Sequence, residues 1–379
     1  MPSHKRQHFV PQFYLRLFSS DERSISLFNI GSRKIIRGAS LKAQCYGDYF
    51  YGKDKRIELG LGLIEGKVAG HLRNLRASED RKSVCGGARI ELLLHIVAQH
   101  SRTPYAAEEA NEQLDKLMKH LFADKLKAEG IDERDLEGVR VAYENAPGFI
   151  LANAAVLYPH LLDMEIKVLR CRPPFEFITS DNPVVMCNQF LEGTGFGSNV
   201  GLAVKGLQIF FPVGPNLLIH LFDGGVYGVG NKREGTVDLV RKEDVDQINC
   251  LQMVAALENL YFRNYPSGLE REFDAASRLR RRDKSRMRVF RDGGEDGERK
   301  ELVMMSREDI RAGLKLSFIR ILKPAKRWLA LAQSKPSRPA ALIRNQTLHD
   351  DVCQFLEGVD SGWYKPGDFQ RYVSEKFRR

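Results

Sequence analysis

Cysteine is sparse in this sequence of 379 residues, and no two of its six cysteines form a CxxC pair. Zinc ribbons and disulfide frameworks both need cysteines, or cysteines and histidines, at close and regular spacings. Neither kind of site is therefore expected, and the thiols are predicted to be reduced and mostly buried. The six residues are Cys45, Cys85, Cys171, Cys187, Cys250 and Cys353.

A long apolar run is also absent. The longest stretches without a charged residue, 145–162 and 206–222, fall short of the roughly 20 apolar residues of a membrane helix, and both contain proline. The N-terminal sequence MPSHKRQHFVPQF is interrupted by charges, histidine and proline, so it lacks the apolar core of a signal peptide. The sequence therefore predicts a cytoplasmic protein with no membrane partner.

Sequence motifs for nucleotide loops and common hydrolases are missing as well. The chain contains no GxxxxGK[ST], no GxSxG and no HExxH, and its glycines at 60–66 do not fit GxGxxG after a strand. The remaining composition, 43% hydrophobic and 28% charged, is ordinary for a globular protein and excludes a collagenous or disordered chain.

Positive charge is in excess and is concentrated in two segments. The chain has 59 lysines and arginines against 49 acidic residues, which gives a formal net charge of +10. Residues 278–291 carry a charge of +7, and residues 315–344 contain eight basic residues and no acid. Residues 1–277 are close to neutral, so the excess belongs to the C-terminal region.

A concentrated basic region is typical of surfaces that bind phosphate backbones, so RNA or DNA is the expected partner. Charge counting alone leaves an alternative, in which residues 278–291 form a solvated helix face or a linker whose charge serves solubility. The residues proposed to bind nucleic acid are Arg280, Arg281, Arg282, Lys284, Arg286, Arg288, Lys323, Lys326 and Arg327.

Hydrophobic periodicity predicts helices and strands in separate blocks. A hairpin is expected around the Asn-Ile-Gly turn at 29–31. Helical spacing of apolar residues follows, at 59–76, 88–104, 107–130 and 147–163. Strand-like runs come next, at 164–171, 175–186 and 207–223, and then a helix at 242–262. A basic helix broken at Lys323-Pro324 is expected over 309–333, and another helix over 350–363.

This order predicts an α+β fold, with a helical block packed on an antiparallel sheet and a basic, mainly helical C-terminal region. A boundary is expected near Tyr265-Pro266-Ser267-Gly268, where turn residues follow the last predicted element of the sheet block. Residues 1–268 would then form a core domain, and residues 269–379 the basic C-terminal region.

Three short motifs resemble those of one family. They are HFVPQFYLR at 8–16, Gln99 with Arg102-Thr103-Pro104, and TSDNPV at 179–184. In this order they resemble the bacterial family catalogued as domain of unknown function 4238, and the resemblance covers about residues 4–261. The family has no established activity, so the resemblance implies a grouping and candidate positions without a reaction. The basic region after Gly268 lies outside it.

Asp181 is the first candidate for chemistry. It follows a strand-like run and precedes Pro183, so its carboxylate would project from a strand end, where metal ligands and general bases are common. Ser-Asp-Asn-Pro is equally a good turn, in which the aspartate accepts backbone amides. Asn182 belongs to the same motif. His8 could carry a proton or share a metal with Asp181, or it could be a packed histidine bonded to backbone.

Polar residues of the other motifs complete the candidate set. Gln12 and Arg16 stand four apart and would share a helix face, and the planar fork of Arg16 suits a phosphate. Gln99 and Arg102 stand three apart at a predicted helix C-terminus, where a cation also complements the helix dipole. A structural role for Arg102 is therefore credible beside a catalytic one.

Two functions from different classes are compatible with these residues. The first is a metal-dependent nuclease or phosphodiesterase of the toxin or antiviral-defence type, in which Asp181 holds Mg²⁺ or Mn²⁺ and His8 moves a proton. Arg16 and Arg102 would steady the phosphate, and the basic region would grip nucleic acid. The alternative is a noncatalytic nucleic-acid-binding or sensor module, in which the motif residues are structural.

Overall fold

A computed structural model describes residues 5–53, 55–131, 133–136, 138–194, 199–280, 285–293, 299–307, 310–334 and 342–376. The chain begins with two short strands, a one-turn helix and a hairpin. These elements are β1 (Arg6–His8), α1 (Gln12–Arg16), β2 (Ser24–Asn29), β3 (Lys34–Ser40) and β4 (Tyr46–Asp48). β2 and β3 pair antiparallel, which confirms the predicted hairpin, and β1 pairs with β4.

Four helices follow and form the predicted helical block. They are α2 (Lys55–Ser78), α3 (Gly87–Ser101), α4 (Pro104–Ala128) and α5 (Ala146–Leu157). The break between α3 and α4 is local: the Thr103 hydroxyl accepts the backbone N–H of Ala106, and Pro104 occupies the first turn of the new helix. A proline fits there because the first turn needs no N–H donor to the preceding residues. Asn145 caps α5 through Gly148 in the same way.

The sheet region contains eight strands and one helix. They are β5 (Glu165–Cys171), β6 (Thr179–Ser180), β7 (Val185–Cys187), β8 (Gln208–Pro212), β9 (Leu217–Phe222), β10 (Tyr227–Val229), β11 (Thr236–Leu239), α6 (Lys242–Ala255) and β12 (Asn259–Phe262). A five-stranded sheet has the order β11-β5-β9-β8-β7, and only its β11–β5 pair is parallel. A second sheet has the order β3-β2-β12-β6 and is antiparallel throughout.

The C-terminal region contributes four further helices and three strands. They are α7 (Leu269–Ser277), β13 (Ser285–Gly293), β14 (Arg299–Arg307), β15 (Ile319–Ile321), α8 (Lys323–Ser334), α9 (Gln346–Asp360) and α10 (Phe369–Lys376). β13 and β14 form a long antiparallel hairpin that packs on α4. Across the described part of the chain, the fold is therefore α+β with mostly antiparallel sheets, as predicted, and no helix there is long and apolar enough to cross a bilayer.

The five-stranded sheet is covered on both faces. Phe211 and Ile219 point to one face and join the cluster of the helical block with Val68 and Ile96. Their neighbours in sequence point to the other face and pack with α6 and with the chain around α8. This second cluster includes Phe210, Leu218, Leu251, Leu316 and Ala325. Every residue of β8 and β9 is buried, which explains why both strands are almost continuously apolar.

Two predictions for the C-terminal region were wrong in detail. Residues 310–318 are not helical: Leu314 and Leu316 are buried in the second cluster, and β15 then pairs with β10. α8 begins at Lys323 because Pro324 is tolerated in a first turn but would break a helix interior. The basic run at 278–291 is also not one helix face, since its residues 285–291 lie in β13.

The region after Gly268 shares hydrophobic clusters with the region before it. Leu269, Phe273 and Ala276 of α7 pack with Phe28 and Leu260. Further along, the buried Arg344 guanidinium donates to Asp163 and to the backbone carbonyls of His160, Leu202 and Val204. The division at Gly268 stays a prediction, since these clusters join residues from both sides of it.

The packing of α7 can be tested by truncating one buried ring. Phe273 is 3% exposed, and its ring centre lies 5.4 Å from that of Phe28. Phe273→Ala is expected to lower the free energy of unfolding by about 3–5 kcal/mol in a denaturant titration, because the removed ring leaves a cavity. The exposed neighbour substitution Glu270→Ala should change it by less than about 0.5 kcal/mol. Equal effects of the two variants would show that α7 does not support the core.

Candidate functional site

His8 ends β1 and is held by two hydrogen bonds. Its Nδ1 lies 3.0 Å from the Gln44 backbone carbonyl, which can only accept, so Nδ1 carries the proton. Its Nε2 then accepts from the Gln12 amide at 3.0 Å. Burial lowers the pKa of His8 and favours this neutral form. The residue is therefore a half-buried neutral imidazole with both ring nitrogens occupied.

Arg102 is the centre of a second group of polar contacts. Its side chain is completely buried, and its Nε and Nη2 donate to Gln99 Oε1 at 2.9 and 2.6 Å. Nη1 donates to Glu65 Oε1 of α2 at 2.5 Å. The Gln99 amide in turn donates to the Phe9 backbone carbonyl. Arg102 thus fastens α2, α3 and the N-terminal segment together, and its charge is satisfied inside the protein.

Arg16 does not take part in this network. Its side chain is exposed in the last turn of α1, whereas Gln12 at the first turn is half-buried against His8. The two residues share a short helix but do not converge on one phosphate-sized site in the described structure.

Asp181 is buried and accepts three backbone amides. Its two oxygens accept the N–H groups of Leu257 at 2.8 Å, Glu258 at 2.6 Å and Asn259 at 3.0 Å, which run from the turn after α6 into the first residue of β12. Burial raises the pKa of Asp181 to about 6, against the effect of the three amides, which lower it. These amides lie 76, 77 and 78 positions from Asp181 and outside its own Ser-Asp-Asn-Pro turn, so they tie β6 to a distant segment and leave the turn interpretation a prediction.

Asn182 also fastens the chain after β6 to the end of α6. Its side-chain amide donates to the Ala255 carbonyl at 3.1 Å, and its backbone N–H donates to the Ser180 hydroxyl. Asn182 Oδ1 is buried with no hydrogen-bond partner among the described residues. Both Asp181 and Asn182 therefore hold the end of α6, which gives the motif a structural role whether or not it has a chemical one.

A cleft of about 310 Å³ lies beside Asp181, and residues of all three motifs reach it. Phe9, Pro104 and Asp181 come from the first, second and third motif in turn. We call this the motif cleft; the described residues that line it are Phe9, Ala43, Gln44, Cys45, Tyr46, Gly47, Phe50, Pro104, Asp181, Glu258 and Asn259. His8, Gln12, Gln99 and Arg102 are not among them, so the candidate polar residues do not line one cleft together.

The geometry also bears on the expected metal. Within the described residues, no three histidine, cysteine or carboxylate side chains are grouped so as to hold an ion. A metal shared by His8 and Asp181 would have to displace Gln12 from His8 and compete with three amides for the Asp181 carboxylate. Mg²⁺ or Mn²⁺ at this position stays a prediction.

The basic residues singled out in the sequence divide into three groups. Arg281, Arg282 and Lys284 lie outside the described residues. Arg280 is half-buried, donates to the Ala256 carbonyl and lies 5.9 Å from the Phe273 ring, while Arg286 and Arg288 are half-buried in β13. Of the groups that the structure describes, the one on α8 is exposed: Lys323, Lys326 and Arg327.

The cations of α8 form a surface with two further residues that the sequence reading missed. Lys323, Lys326 and Arg327 are spaced by three and four residues and therefore share one helix face. Trp328 borders this face with 38% of its surface exposed, and Lys205 Nζ lies 5.2 Å from its ring centre. We call these five residues the α8 surface. The position of Trp328 directly after Arg327 in the predicted helix could have indicated that it belongs to this surface. Nothing in the sequence indicates that Lys205 lies beside Trp328.

The protonation state of Asp181 can be tested by the pH dependence of stability. A folded-state pKa of about 6, above the ordinary 3.8, means that the native protein retains a proton which the unfolded chain loses at lower pH. Relative to Asp181→Asn, the wild type should therefore lose about 2–3 kcal/mol of unfolding free energy between pH 4 and 7. Denaturant titrations of both proteins at each pH unit measure this difference. A change of opposite sign would show that the three amides outweigh burial and hold the carboxylate ionised.

Comparison with known proteins gives one match. A family model described as protein of unknown function (DUF4238) matches residues 6–265, which include all three motifs, both sheets and the motif cleft. No similar curated protein and no similar solved structure was found. The matched segment ends before α7 and α8, so of the α8 surface it includes only Lys205. Because the match covers more than half of the chain, this protein belongs to the DUF4238 family.

Proposed function

We propose that this protein is a nucleic-acid-binding module that grips single-stranded RNA or DNA in the cytoplasm through the α8 surface. The observation that carries the proposal is an exposed tryptophan set among exposed cations on a surface segment without acids. Residues 315–344 contain eight lysines and arginines and no aspartate or glutamate. Such a surface attracts a phosphate backbone and releases its counterions.

The cations of α8 are available for a ligand. Among the described residues, no acidic side chain pairs with Lys323, Lys326 or Arg327, although the chain forms many ion pairs elsewhere. Exposed pairs contribute little to stability, so leaving three neighbouring cations unpaired costs the fold little. Their positive potential is then left for an external anion.

Trp328 favours a single strand over a duplex. Unpaired bases stack on exposed aromatic rings, and each such contact contributes about 1–3 kcal/mol without depending strongly on sequence. A duplex hides the faces of its bases and offers only its backbone to such a ring. Lys205, already placed over the Trp328 ring, would lie close to the phosphates that flank a stacked base.

Cleavage of nucleic acid is a second hypothesis, and one observation favours it: the Asp181 carboxylate borders a cleft. The contacts described above support it less than binding. His8 has both ring nitrogens occupied, and Arg102 is fully buried with its partners inside the protein. A hydrolase would need these groups to face the substrate.

Binding can be measured by fluorescence anisotropy of labelled single-stranded RNA, single-stranded DNA and duplex DNA over a range of salt. The triple variant Lys323→Gln/Lys326→Gln/Arg327→Gln is expected to weaken binding and to reduce the slope of log affinity against log salt by about 2, since each cation releases about 0.7 counterion from a single strand. Trp328→Ala should weaken single-strand binding by about 1–3 kcal/mol and leave the salt slope unchanged.

A matched triple variant in residues 1–277, whose net charge is close to zero, provides the control. Lys34→Gln/Arg37→Gln/Lys42→Gln removes the same charge from exposed positions near β3 and should preserve both affinity and slope. If the two triple variants lose equal amounts of affinity, binding depends only on the net charge of the protein, and the α8 surface is not a specific binding site. Metal-dependent cleavage of the labelled strands that disappears in Asp181→Ala, but not in the α8 variants, would overturn the proposal of a noncatalytic binding module. It would support the nuclease hypothesis instead.

A further inference from the structure

The motif cleft has a charge pattern that the α8 surface does not explain. Its eleven lining residues include two carboxylates, Asp181 and Glu258, and no lysine, arginine or histidine. The other polar side chains are the amides of Gln44 and Asn259, a phenol and a thiol. A ligand that complements this lining carries positive charge, because a carboxylate in a partly closed cleft attracts a cation more strongly than it does in water.

The two carboxylates are fixed relative to each other. Asp181 accepts the backbone N–H of Glu258 itself, at 2.6 Å, as well as those of the residues on either side. The Glu258 side chain is exposed at the rim, whereas Asp181 is only 5% exposed at the cleft wall. The loop therefore presents one deep and one outer carboxylate from a single preformed segment, which lowers the ordering cost of binding.

Aromatic rings form part of the remaining wall. Phe9 and Phe50 lie with their ring centres 5.3 Å apart, and Tyr46 lies beside them in the lining. The Tyr46 ring already has the chain's own Arg6 guanidinium 4.8 Å from its centre, so Phe9 and Phe50 are the rings left for a ligand. Aromatic faces attract organic cations and pack against planar apolar groups.

The volume limits the ligand to a small molecule. The cleft holds about 310 Å³, at the lower end of the range of small-molecule sites. Its thiol is unsuited to covalent chemistry, because burial raises the pKa of Cys45 and its Sγ is hydrogen-bonded to the Tyr261 hydroxyl. Reversible binding is the role left to the cleft.

We propose that the motif cleft binds a small organic cation, an amine, amidine or guanidine with a planar apolar body. The cationic group lies between the carboxylates of Asp181 and Glu258, and the planar body packs against Phe9 and Phe50. This site is separate from the α8 surface, and the proposal does not depend on nucleic-acid binding.

Binding at this site depends on pH through Asp181. The titratable and charged groups that face its carboxylate are Glu258, Arg280, Cys45 and Tyr261. Because burial raises the pKa of Asp181 to about 6, the carboxylate is mostly ionised at pH 7 and mostly protonated at pH 5. Affinity for a cation should thus be about tenfold lower at pH 5 than at pH 7.

The test uses three probes of nearly the same shape and different charge. Benzamidine is a cation, benzamide is its neutral isostere and benzoate is an anion. The full chain is titrated with each probe, and binding is monitored by saturation-transfer NMR and calorimetry. We expect benzamidine to bind with a Kd of about 1 mM at pH 7, and benzamide and benzoate to bind at least about tenfold more weakly. Equal binding of benzamide, or no saturable binding of benzamidine to about 20 mM, overturns the proposal.

Two variants locate the binding site without removing the structural Asp181. Glu258→Gln should weaken benzamidine binding about three- to tenfold, since it removes the outer carboxylate. Ala43→Trp places a large ring in the cleft and should abolish binding. The controls are Glu129→Gln, just after α4, and Ala77→Trp on α2, which make the same changes at exposed positions outside the motif cleft and should bind as the wild type does.

Two further outcomes distinguish this proposal from the others. The α8 triple variant should bind benzamidine normally, so a failure of nucleic-acid binding leaves the cleft untouched. Competition with Mg²⁺ or Mn²⁺ tests the metal alternative directly. Displacement of benzamidine by about 1 mM of either ion, in the wild type and not in Glu258→Gln, would assign the carboxylates to a metal and overturn the organic cation.

Discussion

Burial of the central β8–β9 pair on both faces is the constraint on which the rest of the structure depends. A strand pair with no solvent face needs two separate covers, and the chain supplies them from distant segments. The helical block covers one face, while α6 and the residues around α8 cover the other. The three motifs meet near the first cover, and the α8 surface lies on the outside of the second. The two candidate binding sites therefore belong to different layers of one core.

Much of this architecture follows from local sequence. The break at Thr103-Pro104 was predictable because a cap and a first-turn proline act within three residues, and short, nearly continuous apolar runs identified the strands of the sheet. The segment 310–321 was misread because its apolar spacing fits a helix as well as a strand. Its conformation is decided by β10 and by the second cluster, which a local pattern does not contain.

The site residues show the same limit more sharply. Residue type and motif context singled out His8, Arg102 and Asp181, but each also has a partner far away in the sequence, at 36, 37 and more than 70 positions. Without those partners, a carboxylate bound by three amides and one free to hold a metal look identical in sequence. The cleft likewise emerged only when Phe9, Pro104 and Asp181 were seen to share a wall. Hydrogen-bond partners and cleft walls that depend on long-range contacts cannot be predicted from the hydrophobic periodicity of the sequence.

The late position of the second cover has a consequence for how the chain is made. Phe210 and Leu218 leave the ribosome about 110 residues before Ala325 and Ala332 complete the layer above them. At about 5–20 residues per second, that apolar face stays incompletely covered for roughly 5–20 s of synthesis, with α6 alone available over it until α8 follows. Apolar surface exposed in this way is prone to aggregation, so the order of synthesis makes the second face of the sheet the more vulnerable one.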